Sequence, residues 1–122
     1  MKKNLLTVLF LLIFGLSALQ AFDIGDRVMA DWSGDTYYYP GTVILIEENR
    51  YFVIFDDFDR EWLDTDLLRP EDIDAGSRVE CRWEGDFVYY PGAVRKRVKD
   101  AIHVLYDDGD EEFTTIAHIR ME

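Results

Sequence analysis

A chain of 122 residues with 48% hydrophobic and 15% aromatic side chains carries enough apolar material for one or two small cores, which excludes a disordered polymer. Its formal net charge of −12 repels phosphate backbones and anionic headgroups, so nucleic acid is not expected as a partner, whereas cationic, peptide-like groups are. One cysteine, Cys81, excludes an internal disulfide and any cysteine-based metal cluster within one chain.

The chain opens on Lys2 and Lys3, followed by an apolar run from Leu5 to Leu19 broken by Thr7, Gly15 and Ser17, and then by Gln20-Ala21. That order is the order of a secretory signal, so residues 1–21 read as a signal peptide and the mature chain as secreted or periplasmic. Leu19 is larger than the residue preferred at that distance from the cut, and an uncleaved run would anchor the chain in a membrane, although it is short for a spanning helix. Cleavage removes two of the 13 basic residues and none of the 25 acidic ones, leaving a net charge of −14.

Beyond Ala21 the pattern is one of short strands separated by turn residues, with no long helical period. Strands are predicted over Arg27 to Trp32, with Val28, Ala30 and Trp32 on one face, then Tyr39 to Glu47, Tyr51 to Phe55 and Arg60 to Leu63. Turn chemistry breaks the run at Ser33-Gly34-Asp35, Glu48-Asn49-Arg50 and Asp56-Asp57. Asp64 to Leu68 reads as a capped helical turn before a last short strand at Leu68-Arg69.

The same series then recurs. An offset of 51 brings residues 23–69 onto 74–120 without a gap. Gly25, Arg27 and Val28 fall on Gly76, Arg78 and Val79; Trp32 falls on Trp83; and Tyr38-Tyr39-Pro40-Gly41 falls on Tyr89-Tyr90-Pro91-Gly92. Asp56, Asp57, Asp59 and Glu61 fall on Asp107, Asp108, Asp110 and Glu112. The expected architecture is all-β: two small barrels of about five strands each, over residues 22–71 and 72–122, held in a fixed orientation by the short link Pro70 to Asp72. Cys81 aligns with Ala30 and reads as a small core residue.

Val28-x-Ala30-x-Trp32, Tyr39 and Phe55-Asp56-Asp57-Phe58, repeated as Val79-x-Cys81-x-Trp83, Tyr90 and Tyr106-Asp107-Asp108-Gly109, resemble the Tudor and agenet family of SH3-like barrels. The resemblance covers the mature chain twice. In members that read methylated lysine or arginine, aromatic walls at this end of the barrel enclose the alkylammonium group through the attraction of a cation to ring faces. Carried over by position, Trp32, Tyr39, Phe55 and Phe58 would form four walls, and Trp83, Tyr90 and Tyr106 three, because Gly109 stands at the place of Phe58. The resemblance thus makes the first barrel the better cage, with Asp57 and Asp108 as carboxylates at the two mouths. Aspartates in such turns also satisfy backbone amides, and the aromatic residues could equally fill the barrel ends. Tyr38 and Tyr89 alternate with the cage tyrosines and should face away from them.

The Asp-Asp-x-Asp turns lack the twelve-residue loop of a calcium site, and His103 and His118 each stand without a second imidazole at ligand spacing. No nucleophile, base and orienting group occur in a recognisable set. The expected function is therefore non-catalytic and free of cofactors: an exported module binding a cationic or methylated peptide at its aromatic mouths. The alternative is an assembly module that uses its sheet edges and inter-barrel groove for protein contact, with the aromatics as core.

Overall fold

The computed structural model describes residues 21–32 and 34–122; the export segment expected over residues 1–21 lies outside them except for Ala21. Among the described residues ten strands form two antiparallel five-stranded sheets. The first sheet contains β1 (Arg27–Asp31), β2 (Tyr38–Glu47), β3 (Arg50–Phe55), β4 (Arg60–Asp64) and β5 (Leu68–Pro70), in the order β4-β3-β2-β1-β5. The second contains β6 (Arg78–Arg82), β7 (Tyr89–Val98), β8 (Ala101–Tyr106), β9 (Glu111–Thr115) and β10 (Ile119–Arg120), in the order β10-β6-β7-β8-β9. The helical turn expected before the last strand is a 3-10 turn, Thr65–Leu67, matched by Ile116–His118 in the second copy. Long strands β2 and β7 bend at equivalent bulges, Val43/Leu45 and Val94/Lys96, which lets each sheet curl around its own core.

Val28, Ala30, Val43, Val53, Phe55, Leu63 and Leu68 fill the first core, together with Phe22 and Tyr51. Val79, Cys81, Val94, Ile102, Val104, Tyr106, Ile116 and Ile119 fill the second. Cys81 is fully buried, and its thiol is pushed up by that burial, so it is a packing residue as its alignment with Ala30 implied. Gly41 and Gly92 explain the Tyr-Tyr-Pro-Gly motif sterically. A Cβ on Gly92 would lie 2.7 Å from the Leu105 carbonyl oxygen and 3.0 Å from Tyr106 Cα, and one on Gly41 would lie 2.9 Å from the Ile54 carbonyl oxygen. Backbone cannot yield cheaply, so Gly92→Ala is expected to destabilise the chain by about 1–3 kcal/mol, read as a lowered urea midpoint.

The strand expected over Arg27 to Trp32 ends one residue earlier, and Trp32 leaves the face of Val28 and Ala30. Val28 and Ala30 share the core face expected for them, while Met29 on the opposite face is also only 1% exposed because it packs into the core of the second barrel. Trp32 instead lies just beyond the end of β1, 38% exposed. Docking of the barrels buries both faces of β1. The second copy carries Glu80 at the position of Met29, and Glu80 pairs with Arg120 at 2.8 Å.

Several polar contacts fix the same interface. Tyr38 N donates to the Met121 carbonyl at 2.6 Å and Met121 N to the Tyr38 carbonyl at 3.0 Å, joining the two sheets by one bridge. The Arg120 guanidinium lies between the rings of Tyr37 and Tyr89, 3.7 and 4.0 Å from their centroids, and Arg69 covers Tyr38 at 3.8 Å. Tyr38 and Tyr89 thus face the partner barrel. In the linker, Glu71 accepts two hydrogen bonds from Arg97, at 2.5 and 2.9 Å.

Candidate functional site: an aromatic cleft in the second barrel

At the end of β6 the backbone turns through Trp83–Gly85, with left-handed φ values of 52° at Glu84 and 73° at Gly85. Gly is free to adopt that conformation, and a Cβ on Gly85 would press to 3.1 Å on the His118 ring, which would have to shift to admit it. Two hydrogen bonds hold this turn against the sheet. Glu84 N donates to Glu112 Oε2 at 2.7 Å, and the Tyr106 hydroxyl donates to Glu112 Oε1 at 2.6 Å. One carboxylate from β9 therefore couples the turn that carries Trp83 to the ring of Tyr106.

The three rings meet edge to face. Trp83 and Tyr106 have centroids 5.6 Å apart at an interplanar angle of 67°, and Tyr90 and Tyr106 lie 6.5 Å apart at 86°. Tyr106 is buried and forms the floor, while Tyr90, 44% exposed on β7, forms an outer wall. Together with Asp108 and Asp110 from the β8–β9 turn they line a cavity of about 270 Å³. Asp108 also accepts from Asp110 N at 3.0 Å, so it shapes the turn and faces the cleft at once. Burial first, and then hydroxyl contacts with Cys81 and Glu112, push the Tyr106 phenol far above its ordinary range. The floor thus stays a neutral ring, and negative charge at this site comes from carboxylates.

Corresponding residues of the first barrel are arranged differently. Trp32 and Tyr39 touch edge to face at 6.5 Å, and the Tyr39 hydroxyl donates to Asp35 Oδ2 at 2.9 Å. Burial pushes the Tyr39 phenol up to about 12, with Arg120 pulling it down and Asp35 adding to the rise. Phe55 belongs to the core, whereas Phe58 stands 80% exposed on the β3–β4 turn. Tyr39, Phe55 and Asp57 line a gap of only about 50 Å³, whose other walls are Arg82, Tyr89 and Ala117 of the second barrel.

The two copies of the aromatic set thus differ in geometry from the ranking that wall-counting implies. Trp83, Tyr90, Tyr106 and Asp108 share one open cleft, while Trp32 and Phe58 are absent from the residues lining the first-barrel gap. The physical reason is inter-barrel docking, which carries Arg82 and Tyr89 across the first mouth and leaves the second mouth open. In the sequence Glu112 stood out only as the repeat partner of Glu61. A signal for its anchoring role was present, since only the second copy has a tyrosine hydroxyl, Tyr106 in place of Phe55, to donate to it.

The histidines serve locally: His103 Nε2 lies 2.7 Å from Glu111 Oε1 with its ring stacked on Phe113, and His118 Nδ1 lies 2.8 Å from the Thr114 hydroxyl. Among the described residues no group of three or more His, Cys, Asp or Glu side chains could hold a metal ion.

Residues 24–70, which span the first sheet, match the family described as the DNA repair protein Crb2 Tudor domain. No curated protein matches the chain in sequence. Among solved structures, the tandem Tudor domains of Crb2 superpose with a TM-score of 0.60 at 16% identity, covering 85% of this chain and 82% of that one. The ADCP1 tandem Agenet domains 3-4 share 16% identity over 83% of this chain and 80% of that one, with a TM-score of 0.39. The Arabidopsis thaliana AGDP1 AGD34 structure shares 17% identity over 83% and 82%, with a TM-score of 0.40.

Proposed function

With the tandem Tudor fold as the premise, a fold of binding modules, we propose that the chain is a non-catalytic module that binds a cationic, methylated lysine- or arginine-like side chain of a peptide in the cleft of its second barrel. The observation that carries this reading is the convergence of Trp83, Tyr90 and Tyr106, at mutual angles and beside Asp108 and Asp110, around about 270 Å³. An alkylammonium group is attracted to ring faces, loses little hydration because its methyls are apolar, and keeps a charge for the carboxylates. The neutral Tyr106 hydroxyl is committed to Glu112, so the floor offers the ligand a ring.

Titrating the purified chain with peptides carrying unmodified, mono-, di- or trimethyl-lysine or dimethyl-arginine, followed by tryptophan fluorescence, tests the reading. Saturable binding that strengthens with methylation is expected; equal response to every peptide, or none at millimolar concentration, would count against it. The basic start and apolar run before Ala21 support export as the chain's destination. A C-terminally tagged full chain recovered in the cytoplasm, uncleaved, would overturn that part.

A further inference from the structure

Phe58 is difficult to account for as a structural residue. Its ring is 80% exposed, and its backbone takes a φ of 80°, a conformation that penalises any residue with a Cβ. The second copy places Gly109 at this position with a φ of 96°, the low-strain solution for the same turn. The first barrel thus keeps a strained, exposed aromatic where glycine would fold more easily. That ring lines a groove of about 500 Å³ running between the barrels, with Ile44 and Ile54 beside it and Asp100, Thr115 and Ala117 opposite.

Charge along the groove is uneven. Arg27, which also lines it, is held by two 2.7 Å hydrogen bonds to Asp56, so these two groups neutralise each other. Asp100 on the far side is a largely exposed carboxylate, 3.7 Å from an Arg97 that is already committed to Glu71. Asp57 and Asp59 flank Phe58 on its own turn, both exposed. An apolar floor with Asp100 at one rim and the acidic turn around Phe58 adjoining the other suits an apolar side chain flanked by basic ones.

From this we infer that the inter-barrel groove is a second binding site, separate from the aromatic cleft, that takes an extended peptide segment with one aliphatic side chain against Phe58 and basic residues against Asp100 and the acidic turn that carries Phe58. It requires no methylation and does not depend on the cleft: Trp83, Tyr90 and Tyr106 do not line it. Extended chain suits the site because the groove runs along the seam between the two barrels.

Fluorescence anisotropy of the full chain with three labelled, unmethylated pentapeptides tests the inference: a leucine between two arginines, an alanine between two arginines, and a leucine between two glutamates, each capped by glycine. The arginine–leucine peptide should bind at least fivefold more tightly than either of the others. Phe58→Gly, which copies the other repeat, should weaken it at least fivefold while leaving the melting temperature equal or higher, because the strain is relieved. Ala117→Arg should weaken it similarly by narrowing the groove and opposing the basic residues, and Trp83→Ala should leave it unchanged. Unaltered binding in Phe58→Gly, equal binding of the glutamate peptide, or a lowered melting temperature in Phe58→Gly would overturn the inference, the last by making the ring a structural prop.

Discussion

Trp83→Ala is expected to weaken binding of a trimethyl-lysine peptide by about 2 kcal/mol, close to thirtyfold in Kd, which is the scale of one desolvated cation–aromatic contact. The folding cost should be small, because Trp83 sits on a turn at the barrel's end and only packs against the edge of the core. Trp32→Ala supplies the control: its ring meets Tyr39 in the first barrel and does not line the open cleft, so peptide affinity should change less than twofold. Glu112→Gln probes the anchoring of the cleft, since an amide can still accept from Glu84 N or the Tyr106 hydroxyl but no longer brings a charge. Isothermal titration with the three variants separates a wall, a non-wall and a positioning residue. Equal losses for Trp83→Ala and Trp32→Ala would remove the distinction between the two mouths.

Arg97→Ala is the second large effect, and it acts on stability. The Glu71 side chain is 2% exposed, with Arg97 as its close cationic partner and Arg27, itself held by Asp56, at 3.9 Å. Removing Arg97 leaves a buried carboxylate nearly uncompensated, which costs about 3–5 kcal/mol. The pH dependence distinguishes this cause from lost packing. In the parent chain burial alone would raise the Glu71 pKa, but the Arg97 hydrogen bonds and charge, the Ile73 amide and Arg27 outweigh it and hold it below its ordinary 4.5. Its contribution is therefore present above that ordinary value and is lost as pH falls through the lower folded one. In Arg97→Ala, burial dominates and the folded pKa rises, so lowering the pH from 7 toward 5 should recover stability. Urea unfolding at the two pH values reads the sign directly; a variant whose deficit is the same at both would point to packing instead.

What was legible in the sequence was whatever each repeat specifies by itself. Strand alternation, the turn residues and the gapless offset gave two five-stranded sheets; the repeated Gly41 and Gly92 were visible as a motif, but the close approach of β2 to β3 and β7 to β8 that requires them emerged only from the structure. The aromatic constellation was also legible, and its second copy does assemble. What one repeat could not reveal was how two repeats dock. That depends on where the copies differ: Met29 against Glu80 buries an outer strand face, Asp31 against Arg82 brings a cation to the first mouth, and Phe58 against Gly109 leaves a ring on the groove. Counting aromatic walls favoured the first barrel because counting ignores what covers a mouth. A close comparison of the mismatched positions, instead of the matched ones, was the available signal.

The central claim is that the second barrel, and not the first, holds the ligand. Its most direct test is the indole N–H region of a proton–nitrogen NMR spectrum, where three tryptophans, Trp32, Trp62 and Trp83, each give one signal. Adding a trimethyl-lysine peptide should move the Trp83 signal progressively to saturation and leave Trp32 and Trp62 in place. Movement of Trp32 with Trp83 unmoved would place binding in the first barrel and contradict the account.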